Sequence, residues 1–111
     1  MIWFGEKSLF KKSLLRHKHY VYALFKEEGL PPFYVGKGSG NRCRYHTSNP
    51  GNKAVGRLVK KLDTYYVGIL ASSENEDAVL RLEESFILKF KSILYGGTLL
   101  NFSSGGRNTA S

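Results

Sequence analysis

Strand-type and helix-type patterns follow one another along the chain and predict an α+β fold. Residues 20–25 and 33–35 are apolar runs rich in residues that favour β-strands, and a glycine and two prolines in residues 29–32 predict a turn between them. Residues 64–71 form a third run that is apolar on both faces, so we expect this strand at the centre of the sheet. The pattern therefore predicts a small, three-stranded, mainly antiparallel sheet flanked by helices.

The first predicted strand carries tyrosines at alternate positions. Because successive side chains of a strand point to opposite faces, one face carries Tyr20, Tyr22 and Leu24 and the other carries Val21, Ala23 and Phe25. Antiparallel pairing with the second strand brings Tyr22 close to Tyr34. A glycine-rich segment, residues 36–40, then leads into a helical stretch that carries Arg42 and His46 on one face.

Two longer helices are predicted from apolar positions at helical spacing. The first covers residues 53–62, and its inner side is formed by Val55, Leu58, Val59 and Leu62. Its opposite side is a basic stripe of Lys53, Arg57, Lys60 and Lys61. No acid is interleaved in this stripe, which favours contact with phosphate groups over an ordinary solvated face. The second helix is expected to run to about Lys91 from a capping box formed by Ser73 and Glu76.

The two ends of the chain flank this core. Residues 1–18 mix apolar and basic side chains, and a short helix capped by Ser8 is expected there, with an apolar stripe of Leu9, Phe10 and Leu14. We interpret this extra N-terminal helical segment as an accessory helix on the core, with a helix lying on DNA or on a membrane as the alternative. Residues 99–102 predict a short extended segment. The predicted organisation is an extension over residues 1–18, one domain over 19–106 and a flexible tail over 107–111.

One acid, Glu83, lies where the second helix is apolar. The residues three and four positions away from it are Val79, Leu80, Phe86 and Ile87. Glu83 therefore belongs to the side that faces the core, whereas Glu84 turns toward water. Burial of a lone carboxylate is costly unless a cation meets it. From the residues alone Glu83 is either a metal ligand or one half of a buried salt bridge, for instance with Arg42.

The charge balance indicates a polyanionic partner. The chain has 111 residues, enough for one domain, and its seventeen Lys and Arg outweigh nine Asp and Glu to give a formal charge of +8. Such an excess favours nucleic acid or an acidic membrane. Cys43 is the only cysteine, which excludes an intrachain disulfide and a Cys/His zinc framework. No apolar run resembles a signal peptide or a membrane span, so we expect a cytoplasmic or nucleic-acid-associated protein that is not secreted and has no membrane partner.

The tyrosine triplets and the residues after them resemble the GIY-YIG nuclease superfamily. Tyr20-Val21-Tyr22 stands for the first triplet and Tyr34-Val35-Gly36 for the second, with eleven residues between them. The residues that follow in the family's order are Arg42, His46, Glu83 and Asn101. The residues around the triplets resemble those of the branch found in LEM-domain ankyrin-repeat nucleases and related bacterial and phage proteins. Tyr20 departs from the pattern, because the first triplet of the family begins with glycine.

This resemblance implies a metal-dependent endonuclease that hydrolyses phosphodiester bonds in nucleic acid, DNA more than RNA. The catalytic residues would be Tyr22, Tyr34, Lys37, Arg42, His46, Glu83 and Asn101. Glu83 would hold one Mg²⁺ (or Mn²⁺), because no second acid has both an inner position and a match to the family. From the basic character of the surface, the residues expected to contact nucleic acid are Lys37, Arg44, Lys53, Arg57, Lys60 and Lys61.

The roles in such a site follow from the chemistry of each side chain. Arg42 would hold the scissile phosphate, since its planar fork matches phosphate oxygens and stays charged. Tyr22 would position or deprotonate the attacking water, and Tyr34 would orient the same network. His46 would hydrogen-bond this network or transfer a proton, and Asn101 would brace the site through backbone hydrogen bonds.

Three alternatives stay open. Lys37 is an alternative general base to Tyr22 if it is partly desolvated. A nucleic-acid-binding module on the same fold, without catalysis, agrees equally well with the charge. A membrane-surface protein that uses residues 1–18 is the third interpretation.

Overall fold

Four antiparallel strands and two α-helices make up the part of the chain that the computed structural model describes, residues 1–44, 53–93 and 96–101. The strands are β1 (Trp3–Glu6), β2 (His19–Phe25), β3 (Tyr34–Ser39) and β4 (Tyr66–Ser73), and the helices are α1 (Lys53–Lys61) and α2 (Glu76–Phe90). The strand order is β1-β4-β2-β3, so β2 and β4 are inner strands and β3 is an edge strand. The α+β class, the antiparallel pairing of β2 with β3 and the central place of β4 are therefore confirmed.

The sheet has one strand more than the sequence predicts, because the N-terminal segment contributes β1. This strand pairs antiparallel with β4. The short helix predicted after it is replaced by two 3-10 turns, Lys7–Leu9 and Lys12–Leu14. Of the predicted apolar stripe only Phe10 is buried, whereas Leu9 is 60% and Leu14 is 44% exposed. No continuous apolar face exists there to hold a helix against the core, and an isolated helix of this length is not stable by itself.

The alternation predicted for β2 distributes its side chains onto the two faces of the sheet. The face that packs against α1, here called the α1 face, has Tyr20, Tyr22, Leu24, Val55 and Val59 among its buried residues. The opposite α2 face buries Val21, Ala23, Val35, Val79 and Ile87. The three large side chains of β2 on the α1 face, two of them tyrosines, are thus separated from the smaller Val21 and Ala23 on the α2 face.

Helix α2 begins two residues later than a Ser73 cap would place it. Asn75 is the N-cap, and its side-chain oxygen accepts hydrogen bonds from the backbone N–H groups of Asp77 (2.9 Å) and Ala78 (3.2 Å). The predicted capping box is wrong because β4 extends through Ser73, whose hydroxyl oxygen instead accepts from the N–H of Asn75 at 3.0 Å. The helix ends at Phe90, as expected.

The segment after α2 returns to the edge of β3. The backbone N–H of Leu100 donates to the carbonyl of Phe33 at 2.7 Å, and Ser92 forms an isolated parallel bridge with Leu99. The predicted extended segment is thus present over its described residues, and it lies beside the strand that carries Tyr34.

Among the residues described, neither helix is long and apolar enough to span a lipid bilayer.

Candidate active site

Two tyrosine side chains meet over a single glycine at the centre of the candidate site. Tyr22 on β2 lies opposite Gly36 on β3, and Tyr34 is on the same face of β3 two residues earlier. The ring centroids of Tyr22 and Tyr34 are 6.1 Å apart, which confirms the predicted proximity. A Cβ atom on Gly36 would lie 2.7 Å from Cζ of Tyr22 and 2.8 Å from Cε2 of Tyr34. Gly36 is therefore part of the site, because only a residue without a side chain leaves room for both rings.

Burial keeps both hydroxyls protonated. Desolvation raises the pKa of Tyr22 well above its usual value, and Tyr22 is only 1% exposed. Desolvation, followed by the nearby carboxylate of Glu83, raises the pKa of Tyr34 to about 12. Arg42 and a hydrogen bond with Tyr22 act in the opposite direction on Tyr34. The two phenols are thus hydrogen-bonded to one another and both are neutral near pH 7.

Glu83 is buried near Tyr34. Glu83 on α2 is only 7% exposed, and its negative charge is close enough to raise the pKa of Tyr34. The neighbouring Glu84 is exposed. The inward position predicted from helical spacing is therefore confirmed, and it places a carboxylate at the edge of the sheet where the tyrosines meet.

An ion pair also joins α2 to β3. Lys37 on β3 contacts Glu76 in the first turn of α2, with 3.0 Å between Nζ and Oε1. From Lys37 back to Tyr34 the strand covers about 10 Å, at about 3.4 Å per residue. From Glu76 to Glu83 the helix also covers about 10 Å, at about 1.5 Å per residue. The helix and the strand therefore run in opposite directions over equal lengths, with the Lys37–Glu76 ion pair at one end and Glu83 near Tyr34 at the other.

The same contact places Lys37 away from the tyrosine pair. Lys37 pairs with Val21 and shares the α2 face with Val35, whereas Tyr34 and Gly36 belong to the α1 face. Its ammonium group bonds Glu76, and Lys37 is not among the charges that act on the pKa of Tyr22 or Tyr34. The cation that acts on both tyrosines is Arg42.

Asn101 holds the outer edge of β3. The N–H of Val35 donates to its side-chain oxygen at 3.0 Å, and its side-chain nitrogen donates to the carbonyl of Val35 at 2.8 Å. The amide supplies one acceptor and one donor in the same plane, as a neighbouring strand would. Asn101 is buried, and the prediction that it makes backbone hydrogen bonds is confirmed. Its two bonds fix the residue between Tyr34 and Gly36.

Tyr20, the departure from the family pattern, turns into the core and fixes the glycine-rich corner. Its hydroxyl donates to the carbonyl of Gly40 at 2.7 Å and accepts from the N–H of Cys43 at 3.3 Å. Gly38 lies opposite Tyr20, and a Cβ there would be 3.2 Å from the tyrosine ring. Arg42 lies between the two anchored residues, so Tyr20 is a positioning residue for the guanidinium. In the sequence, the glycines at every second position of β3 indicate this role of Tyr20, but the pairing register of the strands was needed to recognise it.

Removal of the Tyr20 hydroxyl is expected to loosen this corner. Tyr20→Phe leaves the Gly40 carbonyl and the Cys43 N–H without their partner, and we expect about 1–3 kcal/mol less stability in urea unfolding. Tyr66→Phe is the matched control, because the half-buried Tyr66 ring stacks on Phe4 and, among the described residues, its hydroxyl makes no hydrogen bond. An equal loss in both variants would contradict the assigned role.

Comparisons with protein-family models, curated proteins and solved structures found no match. The likeness to the GIY-YIG nucleases is therefore carried by the motif residues alone. In the structure Tyr22 meets Tyr34 over Gly36, Glu83 lies near Tyr34, and Asn101 bonds the backbone of Val35.

A basic surface is present on the outside of α1. Lys53, Arg57, Lys60 and Lys61 are all exposed, whereas Val55 and Val59 are buried against the sheet. The predicted stripe and the predicted inner side of α1 are thus both confirmed. Two other predicted residues stay predictions: His46 lies outside the described residues, and of Arg44 only the backbone is described, in the 3-10 turn Arg42–Arg44.

The donor set of the site contains one carboxylate. Over residues 1–44, 53–93 and 96–101, no group of three or more His, Cys, Asp or Glu side chains is placed to hold a metal ion. This excludes a zinc-type cage in that part of the chain, but Mg²⁺ is commonly held by one or two carboxylates, with waters and substrate phosphate completing its shell. Glu83, with few neighbouring ligands, fits that second type of site.

Proposed function

We propose that this protein is an endonuclease that hydrolyses phosphodiester bonds in nucleic acid, DNA more than RNA, with one Mg²⁺ or Mn²⁺ ion held by Glu83. The observation that supports it is the buried Glu83 carboxylate near Tyr34, with Arg42 acting on both Tyr22 and Tyr34. The order of these residues is also that of the GIY-YIG nucleases.

Arg42 is the group proposed to bind the scissile phosphate. It is exposed, so a phosphate can reach it, and it lies near the tyrosine pair. The guanidinium remains charged at all working pH values and offers two parallel N–H donors to phosphate oxygens. A positive charge at that point also stabilises the negative charge that develops on those oxygens during hydrolysis.

The tyrosine pair is proposed to orient the attacking water. Because Tyr22 and Tyr34 are hydrogen-bonded, loss of a proton from one would change the pKa of the other. In the resting protein both are neutral, so they donate and accept hydrogen bonds at the water. Lys37 is the weaker candidate for the base, because it bonds Glu76 on the opposite face of β3.

A divalent ion on Glu83 would supply positive charge that lowers the pKa of bound water and neutralises phosphate oxygens. Glu83 itself has a second effect. Its negative charge raises the pKa of Tyr34, so any cation that neutralises this carboxylate favours ionisation of the pair.

The experiment that tests this function is a cleavage panel. Single-stranded, duplex and branched DNA and RNA are incubated with the protein and Mg²⁺ or Mn²⁺, beside the same reactions in EDTA and beside Glu83→Ala. We expect cleavage of at least one substrate by the unaltered protein, and none in EDTA or with Glu83→Ala. Intact substrates in every metal-containing reaction would contradict the proposal. Salt-sensitive binding without cleavage would then support a nucleic-acid-binding module, which the basic side of α1 also fits.

A further inference from the structure

A second basic feature lies on the other side of the glycine-rich corner from the tyrosine pair. A cleft of about 470 Å³ opens between residues 12–18 and the end of β3, at Ser39 and Gly40. Lys12, Arg16 and Lys18 are exposed on its walls. None of these three cations belongs to the part of the chain that resembles the nuclease family.

The charge of this cleft is nearly uncompensated. Between Glu6 and Glu27 the sequence contains Lys and Arg but no acid. The nearest described ion pair joins His17 Nδ1 to Glu74 Oε1 at 3.4 Å, and Glu74 is largely exposed. Within the described residues, no carboxylate pairs with Lys12, Arg16 or Lys18. His17 also lines the cleft, so Glu74 is the one described acid bonded to a lining residue, and it leaves the three cations unpaired by a carboxylate. Three such cations around one concave space favour an anionic ligand.

The walls of the cleft are held by the core. Leu15 packs against the buried cluster of the α1 face, and its N–H donates to the carbonyl of Lys12 at 3.1 Å. On the opposite wall the Tyr20 hydroxyl holds the carbonyl of Gly40. The cations therefore extend from fixed backbone positions, so a ligand has to order their side chains but not the backbone, which lowers the entropic cost of binding.

We propose that this cleft binds the sugar-phosphate backbone of the nucleic acid a few nucleotides away from the phosphate held by Arg42. The inference rests on the proposed function and gives the N-terminal segment a role in it. The two tyrosines meet over Gly36, and from Gly36 to Ser39 the strand β3 covers about 10 Å, at about 3.4 Å per residue. A single strand that follows β3 passes the pair, Arg42 and then the cleft.

A nucleic acid strand fits the cleft better than a membrane does. Lipid headgroups lie in a wide, flat surface and would meet only the rim, whereas a flexible polyanion can enter a concave site. Ser39 and Gly40 form a wall with small or absent side chains, which permits close approach of a phosphate to the backbone.

The test is a binding measurement in EDTA, where no cleavage is expected, with a labelled oligonucleotide of about 12 nucleotides from the cleavage panel. The cleft variant carries Lys12→Ala, Arg16→Ala and Lys18→Ala. The matched control carries Lys26→Ala, Arg81→Ala and Lys89→Ala, which removes the same charge from exposed positions elsewhere. Thermal melting checks that both are folded, and Ser39→Glu, which places a negative charge at the wall, is a second cleft variant.

We expect the cleft variant to bind roughly tenfold or more weakly near 0.1 M salt. The slope of log K against log salt should become shallower by about 0.7 to 0.9 for each phosphate that the protein no longer neutralises. For three removed cations, the expected change in slope is about 2. Ser39→Glu should also weaken binding, and the control should change little. Equal effects in the cleft variant and the control, or unchanged binding in the cleft variants, would overturn the proposal.

Two further outcomes separate this inference from the function on which it rests. If no substrate is cleaved but the cleft variants still lose affinity selectively, the cleft is correct and the nuclease proposal is not. If cleavage is observed and the cleft variants keep the same affinity and the same KM, the cleft proposal alone fails. If the cleft variants lost binding to vesicles of anionic phospholipid but kept their affinity for the oligonucleotide, the cleft proposal would be overturned in favour of a membrane partner.

Discussion

Glu83→Gln is expected to lower kcat/KM for cleavage by at least about 10²–10³-fold, the usual effect of removing a charged group that stabilises the transition state. Glutamine keeps the shape of the side chain and removes only its charge. The matched control is Glu84→Gln, the next residue of α2, which is exposed and should retain activity within about twofold.

Stability measurements on the same two variants distinguish the two roles that the sequence leaves open for Glu83. If the carboxylate were one half of a buried structural salt bridge, its loss would destabilise the fold by about 3–5 kcal/mol, because the partner charge would remain buried. If it is held in place for an ion and substrate, the neutral glutamine should leave the free energy of unfolding unchanged or higher in EDTA. A large loss of stability together with full activity would contradict the site as described.

Gly36→Ala is expected to lower both stability and activity. The added Cβ would come within 2.7 Å of the Tyr22 ring and 2.8 Å of the Tyr34 ring, and neither ring can move freely because both are held in the core. Overpacking of this kind costs about 1–3 kcal/mol. Because the rings must separate, we also expect cleavage to fall by about 10²-fold, the effect of a displacement of about 1 Å in a catalytic group.

Gly56→Ala provides the opposite result in the same chain. Gly56 is inside α1, and a Cβ there would have nothing within 4 Å. The same substitution should therefore stabilise the protein by about 0.5–1 kcal/mol, since alanine favours the helix. Urea unfolding and the cleavage assay measure both variants. If Gly36→Ala changed neither the free energy of unfolding nor the cleavage rate, the two rings would not converge over that position.

The parts of this fold that depend on local periodicity were predictable. The period of two in β2 predicts that Tyr22 and Val21 lie on opposite faces of the sheet, and they do. The helical period in α2 predicts that Glu83 faces inward and Glu84 outward, and the structure agrees. The same period of two also places Lys37 on the face opposite Tyr34. That information was present in the sequence and weakens Lys37 as a partner of the tyrosines.

The parts that depend on distant neighbours were not predictable. β1 forms because β4 offers it an open edge, and three or four residues next to a basic segment do not indicate such a pairing. The N-cap Asn75 was missed because β4 continues through Ser73, which only the sheet register defines. The hydrogen bonds of Tyr20 to Gly40 and Cys43 likewise require the folded corner.

Between the Lys37–Glu76 ion pair and the place where Glu83 lies near Tyr34, the strand and the helix cover equal lengths. This match limits which sequence changes the chain can accept. One residue inserted into α2 between its two glutamates would rotate the second by about 100° and carry it around the helix axis. One residue inserted into β3 would turn Tyr34 to the reverse side of the sheet. Substitutions can accumulate around these segments, but gain or loss of a single residue within either would separate the carboxylate from the phenols.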